Sequence, residues 1–302
     1  MQFIVIGAGN MGTAIGTVLL NRGWECIGIL DLDPDKAAVL ANRLDSRDRL
    51  LSGFASIPSG GVIWLCVQDD AIAPCAASLA AAGIAADAVI HCSGLKDLSV
   101  LRPLEATAGR LAGLHPLTSV RLDRISSELF AGVPVIIETA GEHRDWAADL
   151  ARVLGGRPFF LEPGDKPLYH AAAVMLSNLL ISLLQAAASI MNDLLPIGGS
   201  DPPSWLPLVR QTFDNILAAG RPMDALTGPL LRADIGTLEA HRSALLARRP
   251  ELWPLYRELS LYLLAELTRE QSSRAMAQAN QIAYLLRSET MENKKPAAGA
   301  AG

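Results

Sequence analysis

Gly7-Ala8-Gly9-Asn10-Met11-Gly12 is the first group of residues in this chain whose types and spacing could do chemistry. It follows the apolar run Phe3-Ile4-Val5-Ile6 and opens onto a segment with helical periodicity at Ala14, Ile15, Val18 and Leu19. Glycines so spaced between a strand and a helix are the fingerprint of a dinucleotide-phosphate turn. Gly7 permits the tight turn, Gly9 lets the backbone approach a pyrophosphate, and Gly12 allows helix and strand to pack closely. The helix N-terminus offers free N–H groups and the positive end of its dipole to phosphate, so Ala8, Asn10 and Met11 join the expected cofactor contacts. Asp31 ends the next apolar run, Glu25 to Leu30, 19 residues past Gly12. An acidic side chain there can accept hydrogen bonds from the adenosine ribose hydroxyls. Asp33 and Asp35 follow, and no Arg or Lys appears before Lys36, so NAD is the expected cofactor and NADP the alternative. Asp33 before Pro34 also reads as a helix N-cap.

A second group lies on the long apolar stretch Leu168 to Met191. Reduction of a carbonyl or imine needs a proton donor near the developing anion and groups that fix the substrate. His170 and Ser177 are seven residues apart, within about 20° of each other on a regular helix. Asn178 and Gln185 border that stripe, and Lys166 sits one turn before His170. A polar stripe on an otherwise apolar helix reads as a site wall. His170 is then a proton donor or a core histidine bonded to a backbone carbonyl. Asn178 is a substrate ligand or a helix-packing amide, with Lys166 and Ser177 as substrate contacts beside them.

Other candidates sit at strand ends. His115, before Pro116, either polarises the substrate carbonyl or holds its loop against Ser93-Gly94; Ser119 follows on the same loop. Ser93 and Gly94 are expected at the nicotinamide ribose, and Val67 and Gln68 on the adenosine side. Arg232 suits a substrate carboxylate, because a guanidinium matches it with two parallel hydrogen bonds. Asp234, Thr237 and His241 share a helical face and are either substrate contacts or a structural network.

The elements that must position these residues alternate through the first half of the chain. Strands are predicted at 2–7, 25–31, 62–67, 88–92, 110–114, 133–138 and 157–161. Helices are predicted near 11–22, 34–45, 70–82, 97–103 and 142–154. Such alternation builds a parallel, doubly wound sheet. From Gly164 strand signals vanish. A helix opens with Asp165 as N-cap and Pro167 in its first turn, and others follow near 203–219, 234–247 and 251–285. The expected domains are a dinucleotide-binding unit over 1–163 and a helical substrate and dimerisation unit over 164–287. A polar tail over 288–302 is expected to be disordered.

Composition excludes some functions. A net charge of −5 with no basic stripe argues against nucleic acid as a partner. A strand beginning at residue 2 or 3 leaves no room for a signal peptide, and the expected location is cytoplasmic. Cys26, Cys66, Cys75 and Cys92 show no CxxC spacing and read as reduced core thiols, with no metal site. The stretch from Leu168 to Met191 carries His170, Ser177, Asn178, Ser182 and Gln185. These are too many polar groups for a lipid-facing span, so it is predicted to be a core helix rather than a membrane segment.

An α/β half followed by an all-helical half, entered through one long helix, resembles the 6-phosphogluconate dehydrogenase-like superfamily, which includes ketopantoate reductase, pyrroline-5-carboxylate reductase and prephenate dehydrogenase. Three segments carry a narrower likeness: Gly113 to Ser119; Tyr169 to Val174 with Ser177-Asn178; and Leu226-Thr227-Gly228-Pro229 with Arg232-Ala233-Asp234, Thr237 and His241. They resemble Rossmann-like proteins with a C-terminal domain of unknown function 2520. The resemblance implies a Rossmann doubly wound sheet followed by an all-α 6-phosphogluconate dehydrogenase C-terminal-like domain. It implies an NAD(P)-dependent reductase of a small 2-oxo acid or imine carboxylate, ketopantoate being the named candidate, acting in the interdomain cleft. It also implies a homodimer joined through its helices. In the related hydroxyacid dehydrogenases a Lys and an Asn one turn apart serve as acid/base and substrate anchor. Here the residue four after Lys166 is His170, and Asn178 comes twelve after it, so His170 takes the donor's place. A dinucleotide-binding sensor without turnover is the other functional class open to this sequence.

Overall fold

The computed structural model describes residues 1–162, 164–195, 203–269 and 273–288. The chain forms two compact units, Met1–Ile181 and Ser182–Gly302. The first unit therefore extends past the expected boundary at residue 163 and takes in the start of the long helix.

Seven strands build the first unit: β1 Gln2–Ile6, β2 Glu25–Leu30, β3 Val62–Leu65, β4 Ala88–His91, β5 Leu111–Pro116, β6 Pro134–Thr139 and β7 Arg157–Phe160. All seven coincide with predicted runs. They form one sheet in the order β2-β1-β3-β4-β5-β6-β7. Helices α1 Asn10–Asn21, α2 Pro34–Arg43, α3 Asp69–Ala81 and α4 Arg144–Val153 cover it. Side chains alternate along β1, so Phe3 and Val5 enter one core and Ile4 and Ile6 the other. Burial on both faces explains why the strands read as continuous apolar runs. Each large aliphatic side chain so buried contributes roughly 1.5–3 kcal/mol.

The sheet is not wholly parallel as predicted. β6 runs antiparallel to β5, and β7 parallel to β6. The connection between β5 and β6 holds only the short 3₁₀ turn Leu122–Arg124, and an antiparallel neighbour needs no crossover helix. The helix predicted near 97–103 is a 3₁₀ run, Leu98–Leu104, with Pro103 inside it. From β1 the chain goes out to β2 and returns past β1 to β3. The carboxyl ends of β1 and β3 therefore flank the crevice where open α/β sheets bind ligands.

The long helix comprises α5 Lys166–Val174, a π-helical turn Met175–Leu179 and α6 Leu180–Leu194. By length and composition it could cross a membrane, yet almost none of its most apolar stretch is buried within the chain. Leu168, Met175, Leu176, Leu179 and Ile181 are exposed. This corrects the core-helix expectation. Composition reports an apolar face but not what covers it.

The rest of the second unit is helical among its described residues: α7 Leu206–Ala219, α8 Pro229–Arg232, α9 Ile235–Arg248, α10 Trp253–Arg269 and α11 Ser273–Arg287. Its core gathers Leu230, Leu238, Trp253, Leu264, Ile282 and Leu286. The helix predicted as one piece over 251–285 is thus α10 and α11. Of the predicted disordered tail, all but Ser288 lies outside the described residues.

Candidate functional site

The glycine turn after β1 is built by close approach. Gly7 has a φ of +97°, and a Cβ there would stand 2.6 Å from the Cys66 carbonyl carbon and 2.9 Å from Val67 N. On Gly12 a Cβ would stand 1.9 Å from the Gly7 carbonyl oxygen. Gly9 differs, since a Cβ there would meet nothing within 4 Å. No side chain caps α1 and no acidic residue occupies its first turn, as an anion site at a helix N-terminus requires.

Asp31 anchors this turn. Ala8 N donates to its Oδ2 at 2.6 Å, and Asp33 N donates to its Oδ1 at 2.8 Å. Each carboxylate oxygen keeps a further lone pair for a hydroxyl donor. Leu32 beside it is fully exposed. Asp33 caps α2 as predicted, accepting from Asp35 N at 3.0 Å and Lys36 N at 3.3 Å. Lys36 Nζ lies 3.4 Å from Asp33, so the first cation after β2 is already paired. Asn10 Nδ2 donates to Val120 O at 2.9 Å, tying the turn to the loop after β5 that carries the exposed Ser119. Met11 packs on the core, while Val67 and Gln68 follow β3, Gln68 starting α3.

A second cluster forms where β4 and β5 end and α5 begins. Gly94 is its pivot. A Cβ on Gly94 would stand 2.6 Å from His170 Nδ1, 3.0 Å from His115 Cε1 and 3.1 Å from His115 Nε2. Both imidazoles thus reach one point over a residue that has no side chain. His115 Nδ1 lies 2.7 Å from the Tyr169 hydroxyl. The His115 ring is edge-on to Tyr169 at 5.7 Å and to His170 at 6.1 Å. Burial holds His115 down to about 4, helped by the neighbouring His170 and Lys166. Burial pushes the Tyr169 phenol up to about 12. His170 Nδ1 is buried with no hydrogen-bond partner among the described residues, so that nitrogen does not make the backbone bond of a core histidine.

Beneath the pair lies a buried polar network. His91 ends β4 fully buried, and its Nδ1 accepts from Ser93 N at 3.2 Å. Its Nε2 has no partner among the described residues. Desolvation and the Lys166 charge hold it down to about 3. Lys166 is only 6% exposed; its Nζ donates to Lys96 O and pairs with Glu138 at 3.2 Å. Burial lowers its pKa while Glu138 opposes that shift. Gly113 separates His91 from Lys166: a Cβ there would stand 3.0 Å from His91 Nε2 and 3.1 Å from Lys166 Nζ. Ser93 Oγ accepts from Leu95 N and Lys96 N at 3.0 and 2.8 Å, shaping the turn that presents Gly94.

Ser177 Oγ donates to Ala173 O at 2.7 Å and lies 3.0 Å from Asn178 Oδ1. Both residues sit in the π-helical turn, which changes the phase assumed for the His170–Ser177 stripe; π-turns occur frequently at functional sites. In the second unit, Arg232 ends α8. Asp234 caps α9, accepting from Thr237 N at 3.1 Å and Thr237 Oγ1 at 2.8 Å. His241 Nδ1 lies 2.9 Å from the Tyr256 hydroxyl. Asp234 and Thr237 thus pair with each other, and His241 pairs with Tyr256.

Residues 133–263 match the family model described as Domain of unknown function (DUF2520), a span that starts at β6 and runs into α10. The chain thus joins a Rossmann-type sheet to a segment that matches this model. The chain is similar to the Bacteroides fragilis protein BF3122, described as a "putative NADP oxidoreductase", with 21% identity and a TM-score of 0.71 over 87% of this chain and 97% of that one. It is similar to the Thermotoga maritima protein TM1727, with 23% identity and a TM-score of 0.67 over 89% and 99% of the two chains. Prephenate dehydrogenase from Aquifex aeolicus, in complex with hydroxyphenyl propionate and NAD⁺, shares 16% identity with a TM-score of 0.52 over 90% and 97%. At these identities the likeness concerns the fold. No curated protein matches the sequence.

Three residues of this cluster carry no local sequence signal. His91 hides in an apolar strand, and Glu138 sits at the end of the strand whose direction was not foreseen. Tyr169 is visible only as the neighbour of His170. Their one shared signal is position: each stands at a strand end or helix start that the sheet order brings together.

Proposed function

We propose that this protein is an NAD(P)-dependent oxidoreductase that reduces a small 2-oxo acid or imine carboxylate, with ketopantoate the leading candidate. The observation that carries the reading is the convergence of His115 and His170 on Gly94, in the same unit as an uncapped glycine turn. The open space at Gly9 and the free first turn of α1 fit a pyrophosphate. Gly7 to Gly12 would hold it, Asp31 would take ribose hydroxyls and favour NAD, and Val67, Gln68, Ser93 and Gly94 would line the rest. A reduced nicotinamide bound there supplies hydride.

The chain's own residues do the remainder. His170 delivers the proton to the developing oxyanion or amide, as an imidazole placed at that atom can. His115, held neutral, donates a hydrogen bond to the same atom. Asn178 orients the substrate. Lys166 and Glu138 brace the helix start against β6 and the loop after β4.

Titration with NADH and NADPH, followed by a screen of oxo acids and cyclic imines for loss of NAD(P)H absorbance, tests this reading. Binding without turnover across a broad panel would instead support a dinucleotide sensor. No binding of either cofactor would overturn both.

A further inference from the structure

Tyr169 and His170 are consecutive on α5 and point about 100° apart, as neighbours on a helix must. His115 stands between them. Its Nδ1 meets the Tyr169 hydroxyl at 2.7 Å, while its Nε2 shares with His170 Nδ1 the point over Gly94. One imidazole is therefore gripped on one nitrogen and presented on the other.

The direction of the gripping bond decides what is presented. A phenol is a stronger acid than a neutral imidazole N–H, and an imidazole nitrogen is a stronger base than a phenol oxygen. The favoured bond therefore runs from Tyr169 O–H to His115 Nδ1. The reverse bond would leave the Tyr169 hydrogen without an acceptor among the described residues. With Nδ1 accepting, the ring's single hydrogen must sit on Nε2.

We propose that Tyr169 is a positioning residue that locks His115 in its Nε2–H tautomer, so that His115 serves the reaction as a fixed hydrogen-bond donor and His170 alone exchanges the proton. The catalytic part of this statement rests on the reductase reading. The tautomer part does not. The cluster then divides labour between two similar side chains by what grips each one: His115 Nδ1 is occupied, and His170 Nδ1 is not.

The test needs no substrate. The full chain is labelled with ¹⁵N-histidine, and its five histidines are resolved by two-bond ¹H–¹⁵N correlation near neutral pH, with His115→Gln identifying the His115 signals. The wild-type protein should show His115 as the neutral Nε2–H form. Tyr169→Phe, which keeps the ring and removes the donor, should reduce the ratio of Nε2–H to Nδ1–H forms about 3- to 10-fold, the worth of one hydrogen bond. A hydrogen on Nδ1 in the wild-type protein overturns the proposal, whether or not the variant folds. So does an unchanged ratio in a folded Tyr169→Phe. Failure of the reductase reading would appear separately, as absent turnover with the tautomer as stated.

Discussion

Gly7 and Gly12 meet across the turn between β1 and α1, where a Cβ on Gly12 would stand 1.9 Å from the Gly7 carbonyl oxygen. Gly9 lies between them in sequence and faces open space. The two positions should therefore separate folding from binding. Gly12→Ala forces helix and turn apart and is expected to destabilise the protein by about 3 kcal/mol. Gly9→Val should keep the wild-type melting temperature and lose both NADH and NADPH in a fluorescence titration. Wild-type affinities in folded Gly9→Val would remove the dinucleotide assignment.

Asp31 has two duties on this account, and substitutions can part them. It holds Ala8 N at 2.6 Å, so Asp31→Ala should loosen the turn and weaken NADH and NADPH together. Leu32 is fully exposed and holds nothing in place. Leu32→Arg should therefore add a cation for a 2′-phosphate without loosening the turn, shifting preference toward NADPH at least about tenfold, or 1.4 kcal/mol. The wild-type protein is expected to prefer NADH. A native preference for NADPH would show that the charge of Asp31 does not select the cofactor.

The glycine turn, seven strands and the Asp33 cap were legible because each is local: a spacing, an apolar run, one side chain reaching two residues ahead. His115 and Gly94 were legible as a pair because both end predicted strands. The direction of β6 was not, since a loop without a helix permits either sense. His91 and Lys166 meet over Gly113 only through pairing of β4 with β5 and docking of α5, and no spacing encodes that. The His170–Ser177 stripe assumed 3.6 residues per turn throughout, and the π-helical turn at Met175 breaks that assumption.

Acid should weaken the fold through His91. Its folded pKa is about 3, against about 6.5 in an unfolded chain. As pH falls, the unfolded state takes up its proton first. Stability is thus full above about pH 6.5 and is lost progressively until about pH 3. At about pH 5 the loss from this one group is about 2 kcal/mol. His115, held at about 4, acts in the same direction. Urea midpoints at about pH 7.5 and 5 should differ more for the wild-type protein than for His91→Gln, whose amide oxygen can accept from Ser93 N without titrating. Equal differences would place the acid sensitivity elsewhere.

The exposed apolar face of the long helix should be covered by a second copy of the chain. Leu168, Leu176 and Ile181 are 77%, 74% and 65% exposed, more apolar surface than an isolated chain sheds cheaply in water. A two-fold contact between identical helices is the commonest way to cover such a face. Sedimentation should give a dimer at micromolar concentration, and Leu176→Glu with Ile181→Glu should give a monomer with an unchanged circular dichroism spectrum. A monomeric wild-type protein would leave this helix for another partner.

His170 and Gly94 supply the sharpest test of the chemistry. If His170 delivers the proton, His170→Ala should lower kcat by about 10²–10⁴-fold and leave NADH affinity unchanged. Gly94→Ala approaches the same residue from the other side. Its new methyl would stand 2.6 Å from His170 Nδ1 and 3.1 Å from His115 Nε2, so one imidazole must turn away from the shared point. The variant should lose kcat while every titratable group remains present. A His170→Ala enzyme with full kcat would hand the donor's role to His115. Full kcat in Gly94→Ala as well would mean that the point over Gly94 is not where the reacting atom lies.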